Sequence, residues 1–345
     1  MPYLRTALCL LATLCALHAT ARDYRYTDAH LHYVDFFQET DGMASLLEQM
    51  DAHRIEHVMI SGISVAKKWH ENEPKRPRYY AGDDAGAYWF SATDHIVAHA
   101  LQGLSAEQRQ RFHPFLTGFN PNDKNADEHV RRLLEMYPGL WQGIGEIFTR
   151  HDDLTALTQS DTPRANSEAL RRIYFLAAEH DLPVMIHSNI TSKRERNPLY
   201  LPELEEALRD HPRVRFIWAH AGTSMEIHRH QENLVFLFDE LERMLGLYPN
   251  LYIDLSWTVL EPYLLDGDGQ PEARWVKLVE SYPDRFMIGS DVVGSFKNLG
   301  KHMSGFDVFL DALTEPVARK VAKGNFLAIL PQGTGASASP GAAQR

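Results

Sequence analysis

The chain has 345 residues, 44% of them hydrophobic and 23% charged, and a formal net charge of −11. That length and apolar share suit one large α/β barrel or two smaller domains with real cores, and they exclude a chain too polar to fold. The acidic balance argues against a nucleic-acid surface and is read as solubility.

The first element is a leader. Arg5 precedes an apolar run from Ala7 to Leu17, and Ala19-Thr20-Ala21 then has the small-x-small form of a secretory cleavage site. The run is too short to span a bilayer core of about 30 Å. A signal peptide at 1–21 is therefore expected, and with it an exported, periplasmic or secreted protein with no stable membrane anchor after cleavage. Cys9 and Cys15, the only two cysteines, lie inside the leader. The mature chain would carry no thiol, which suits an oxidising compartment.

From 22 to 330, short apolar runs alternate with longer amphipathic ones, the pattern of repeated βα units around a parallel sheet. Strands are expected at 24–32, 57–61, 111–119, 141–148, 183–188, 214–220, 251–255 and 285–290. Helices are expected at 42–53, 125–137, 166–180, 201–210, 233–248 and 272–282. Several end in His-Pro or Tyr-Pro, where proline disfavours helix at the residue before it. Eight strands predict a closed (β/α)8 TIM barrel, in which reactive groups gather at the C-terminal strand ends. The segment 64–90 is too long for a routine connection and reads either as a lid or as a surface excursion packed on the barrel. The tail at 331–345, rich in glycine, alanine and serine, reads as disordered.

Five side chains fall at predicted strand ends: His30, His32, His187, His220 and Asp291. Strand alternation puts His30 and His32 on one face. A lone strand-end histidine is more often structural, and with 18 histidines most cannot be ligands. His53, His57, His95, His99, His129, His180 and His211 lie in polar helix or turn sequence and read as solvated. Four strand-end histidines joined by an aspartate that is costly to bury unpaired point instead to a shared divalent cation.

These residues, with Trp218-Ala219-His220-Ala221-Gly222 and the closing Lys323-Gly324-Asn325-Phe326, resemble the amidohydrolase superfamily over nearly the whole mature chain. Within it they are similar to the amidohydrolase-related branch, which also holds decarboxylases of the aminocarboxymuconate type. The resemblance implies a TIM barrel with its metal site at the C-terminal strand ends. Where some families place a carboxylated lysine on strand 4, this chain has Glu146. It looks like the strand 4 glutamate of TatD-like members, which can bridge two metals; the alternative is a carboxylate that orients a histidine. The implied ligands are His30, His32, Glu146, His187, His220 and Asp291, with one ion firmly held and a second open. Zinc is the default for such a site, with manganese and iron as alternatives.

A metal held this way lowers the pKa of a bound water to roughly 7. Asp291 is then the candidate general base and acid, and His220 the candidate to polarise a carbonyl. Two activities fit: hydrolysis of an amide, ester or lactone in a small molecule, and decarboxylation of an aromatic or unsaturated carboxylic acid. The export signal favours hydrolysis. A noncatalytic metal-binding protein is opposed by the intact ligand set. Arg150 and His151 after strand 4, and Lys193, Arg194 and Arg196 after His187, are candidates to hold a substrate carboxylate, or else form a solvated charge run. Trp257 is a candidate to line the pocket. Asp28 is expected in a buried hydrogen-bonding role, and Asp254 either behind a ligand or on local backbone donors. A homo-oligomer is compatible with this reading.

Overall fold

The computed structural model describes residues 22–69, 86–152, 154–159 and 161–331. The expected signal peptide at 1–21, residues 70–85 of the candidate lid and nearly all of the expected disordered tail lie outside the described residues.

In chain order the strands are β1 (Tyr26–His32), β2 (Ile55–Ser61), β3 (Val65–Lys67), β4 (Ala87–Trp89), β5 (Phe112–Leu116), β6 (Gly143–Phe148), β7 (Val184–His187), β8 (Phe216–Trp218), β9 (Leu251–Asp254), β10 (Phe286–Met287) and β11 (Val292–Val293). The other nine form one parallel sheet, in the order β10-β9-β8-β7-β6-β5-β2-β1-β11, while β3 and β4 pair antiparallel at the base of the 64–90 segment. At one end β10 pairs with β9, and at the other β11 pairs with β1. Because Ala29 N also donates to the Ile288 carbonyl at 3.0 Å, β10 and β11 are two halves of one stave. The sheet closes on itself as the expected eight-staved barrel.

Three strands end differently from expectation, the one expected at 111–119 stopping at Leu116. The strand expected at 214–220 stops at Trp218, and Ala219–Gly222 turns back as a 3-10 turn. The last stave, expected at 285–290, breaks between Met287 and Val292. The cause is local: His220 and Asp291 take φ of 52° and 49°, outside any pleated conformation.

The six expected helices are present, most within two residues of their expected bounds. Glu168–Glu179 shows why: Ser167 caps its N-terminus by accepting from Leu170 N at 3.3 Å, and Leu170, Ile173, Tyr174 and Ala177 form the buried stripe. Thr93–Gln102 and Met225–Gln231 are helices that the sequence reading did not expect.

The lumen is filled below the strand ends by Ala29, Met59, Phe115, Met185, Ile217 and Met287, one from each of six staves, with Phe326, Ile329 and Leu330 from the C-terminal segment packed against them. The pairing of β1 with β2 is irregular between Asp28 and Leu31. There β1 passes from filling the lumen with Ala29 to presenting His30 and His32 above it.

Four histidines expected in solvent are not there, of which His95 and His129 are partly buried. His211 is buried against the Tyr174 ring, and His57 is half-buried with Nδ1 3.1 Å from His113 Nε2. Burial pushes His113 down to about 4, against the opposing hydrogen bond to Gln142, and His57 adds to the shift. The unfolded chain therefore binds more protons than the folded one between the ordinary histidine pKa and about pH 4. The associated stability is present above that window and lost as pH falls through it. His113→Leu is expected to lessen the acid loss, between pH 7 and 4.5, by about 2 kcal/mol relative to the parent. Urea unfolding of both proteins, stripped of metal by a chelator, reads the difference; equal losses would refute it.

Candidate metal centre

At the C-terminal mouth of the barrel the strands deliver Glu146 between four histidines. Glu146 Oε2 lies 3.3 Å from His30 Nε2 and 3.2 Å from His32 Nε2, while Oε1 lies 3.0 Å from His187 Nδ1 and 3.6 Å from His220 Nε2. Asp291 divides in the same way. Its Oδ1 is 3.6 Å from His30 Nε2 and 3.5 Å from His32 Nε2, and its Oδ2 is 3.7 Å from His220 Nε2. The backbone is built for this approach. Gly145 holds φ at 129°, where a Cβ would meet the Met185 carbonyl oxygen at 2.2 Å, so only glycine can precede Glu146 here. Gly289 lets the last stave close on β1, since a Cβ there would lie 2.8 Å from His30 N.

The outer nitrogen of each ring identifies its tautomer. His30 Nδ1 bonds Asp254 Oδ2 at 2.9 Å, and His32 Nδ1 bonds the Gly62 carbonyl at 2.8 Å; neither oxygen can donate, so both rings carry Nδ1–H. The Ser256 hydroxyl donates to Asp254 at 2.5 Å and so accepts from His220 Nδ1–H at 2.9 Å. In His187 the order is reversed, with Nε2–H donating to Asn189 Oδ1 at 3.0 Å. All four rings consequently turn a lone pair toward the two carboxylates. His30 Nε2 is fully buried and has no hydrogen-bond partner. With the rings neutral, lone pairs and carboxylates converging around an orphaned buried nitrogen fit a divalent cation.

Charge points the same way. Burial works against a positive charge on His30, yet the carboxylates of Glu146 and Asp291 and the bond to Asp254 outweigh it and hold its pKa well above the ordinary value. Burial likewise opposes ionised Glu146, but the charge of His30, foremost among its neighbours, holds its carboxyl well below the usual range. His187, pushed down to about 4 by burial and by His151, stays neutral and free to ligate. The pocket thus has a negative field that attracts a cation to the histidine nitrogens.

Supporting residues follow from this network. Asp254 serves both roles open to it, accepting from His30 and from Ser256 N at 3.0 Å. Asp28 is fully buried and accepts from His30 N at 3.1 Å and from Ser290 N and Oγ at 2.8 and 2.6 Å. Ser256 and Asn189 escaped the sequence reading, because a serine or asparagine two residues past a strand carries no pattern; only proximity in the fold marks them. Asp254→Asn, which can no longer accept from both His30 and Ser256 as a carboxylate does, is expected to weaken metal affinity by about 10–100-fold. Titration against a competing chelator measures this, and unchanged affinity would show that Asp254 does not position His30.

Three sequence expectations change. His220 cannot polarise a carbonyl by donating to it, because its Nδ1–H is taken by Ser256 and Nε2 faces the centre; it stands among the groups that could hold a metal. Arg150 does not reach the site: it makes a two-pronged bond to Glu203 at 2.9 and 2.5 Å and stacks on Tyr200. Arg194 is exposed and lies off the cleft, and Lys193 pairs with Glu226 at 3.5 Å. Trp257 does line the cleft, its ring 5.0 Å from that of His220. His151 is buried rather than part of a solvated run, stacked on His187 at 4.1 Å.

The cleft over the centre measures about 470 Å3 and is lined by His32, Glu146, His151, His187, His220 and Asp291, together with Phe36, Ile63, Phe148, Leu154, Trp257 and Val293. Glu146 lies on its floor with 1% of its side chain exposed, whereas the Asp291 side chain is 11% exposed.

No curated protein matches the chain significantly. Solved structures share its fold. Dihydroorotase from Campylobacter jejuni is similar at 16% identity and a TM-score of 0.52, over 88% of this chain and 82% of that one. An uncharacterised TIM-barrel protein from Bordetella bronchiseptica is similar at 14% identity and 0.53, over 88% and 99%. The 5-carboxyvanillate decarboxylase of Sphingomonas paucimobilis is similar at 16% identity and 0.51, over 89% and 99%. The amidohydrolase family model matches residues 27–331, and the chain belongs to that family of metal-dependent enzymes, whose substrates are small molecules.

Proposed function

We propose that the chain is a two-ion hydrolase that cleaves an amide, ester or lactone bond in a small molecule, with zinc as the metal. One observation carries this reading: the Glu146 carboxylate gives one oxygen to His30 and His32 and the other to His187 and His220. That division suits two cations bridged by one carboxylate better than the single firmly held ion expected from sequence. Bound there, the ions would supply an activated water at neutral pH and withdraw charge from a carbonyl. The protein's own residues do the rest. Asp291, the carboxylate more exposed to the cleft, accepts the proton of the attacking water and passes it to the leaving group. Glu146, almost wholly buried on the cleft floor, holds charge without exchanging protons with substrate.

Hydrolysis is favoured over decarboxylation because no arginine or lysine among the described residues lines the cleft, so that beyond the ions themselves a substrate carboxylate would have no counter-charge. The substrate is accordingly read as neutral beside its reacting group rather than carrying a further carboxylate. Elemental analysis should give about two zinc ions per chain, and chelation should abolish, and zinc restore, turnover of an ester, lactone and amide panel. Carbon dioxide release from aromatic acids, without hydrolysis, would overturn the reading. We propose also that the chain is exported, on the strength of its leader-like first 21 residues. The mature protein is then expected to begin at Arg22, and an uncleaved N-terminus would refute this.

A further inference from the structure

Trp257 borders two spaces at once. On one side is the cleft over the metal centre. On the other is a second cleft of about 1040 Å3, lined among others by Thr258, Glu261, Ser290, Lys301 and His302. The two differ in chemistry. Apart from His151 and the centre's own polar side chains, the first is walled by Phe36, Ile63, Phe148, Leu154 and Val293, whereas the second carries Glu261, Lys301 and His302 on its walls.

The barrel explains how one side chain divides them. Counting staves around the ring, β2 and β6 are second and fourth and deliver Ile63, Phe148 and Leu154; β9 is seventh and delivers Trp257 from the facing side. The indole is therefore the end wall of the apolar chamber. Its position is held by more than its own packing. Trp257 takes φ of 53°, an uncommon conformation for a bulky residue, and its ring stands edge-on to His220 with centroids 5.0 Å apart. The chain then runs through a 3-10 turn directly into the π-helical turn Leu260–Leu264.

We propose that Trp257 determines specificity by length: it confines the substrate's neutral apolar group to the chamber over the metals and bars longer groups from the second cleft. This rests on the hydrolytic reading above and names its substrate class as small, uncharged and apolar beside the reacting carbonyl. A wall that excludes one or two extra methylenes discriminates by about 10–200-fold, which sets the size of the effect.

Two probe series test it: p-nitrophenyl esters from acetate to decanoate, which lengthen the acyl side, and γ-lactones with linear alkyl substituents, which lengthen the leaving side. The readout is the ratio of kcat/KM for the longest and shortest member. In the parent protein that ratio is expected to be low in the series whose alkyl group faces the indole. Trp257→Ala should raise it by about tenfold or more, with Trp257→Phe between the two. Metal content is measured alongside, and Trp257→Leu is read in place of the alanine variant if the latter fails to fold or to bind metal. Ratios equal to the parent's in every metal-loaded variant, in both series, overturn the proposal while leaving hydrolysis intact. A parent protein that turns over neither series overturns the hydrolytic reading and this inference with it.

Discussion

Glu146→Gln is expected to lower kcat/KM by on the order of 10³-fold and to reduce bound zinc from about two ions to one or fewer. Glutamine has the same shape, so the cavity stays filled and the loss reports charge rather than packing. Its NH2 end would have to face one pair of histidine nitrogens that, in the tautomers assigned by Asp254, Gly62, Asn189 and Ser256, offer lone pairs. One pair would then be satisfied by the amide and lost as a ligand pair. Elemental analysis and steady-state kinetics on the same preparation check both halves. Full metal content with near-parent activity would mean that Glu146 orients histidines without bridging, the other role open to a strand 4 carboxylate.

The second large effect falls on Asp291. Asp291→Asn keeps the side chain's volume and one oxygen but cannot take a proton, so kcat should fall by about 10²–10⁴-fold while KM changes little. The contrast with Glu146→Gln is diagnostic. Asp291 is more exposed to the cleft than Glu146, so loss of Asp291 should fall on turnover more than on metal content. Metal analysis together with kcat and KM on an ester substrate measures it. A variant that keeps its metal and its kcat would remove Asp291 from the proton-transfer role and leave it a ligand only.

Much of this was legible in the chain itself, and the reason differs by residue. His30 and His32 follow from a two-residue period that any strand obeys, and His187 and Asp291 from short apolar runs ending in polar residues. The staves follow from the alternation of such runs with amphipathic helices. What failed was local geometry. His220 was expected on a strand and sits in a left-handed turn, because a strand end cannot aim Nε2 at Glu146 while Nδ1 reaches Ser256. Arg150 was expected to serve substrate, but its partner Glu203 lies 53 residues away and only the fold brings them together.

Periodicity and residue type were thus enough to determine the barrel and the order in which the candidate metal-binding side chains reach its mouth, since each depends on spacing along one strand or helix. The tertiary structure alone decided which nitrogen of each ring faces the centre, how Glu146 is shared, and that the cleft above it is apolar and ends at Trp257. Those properties depend on atoms from different staves meeting within about 3 Å. No local pattern encodes that distance.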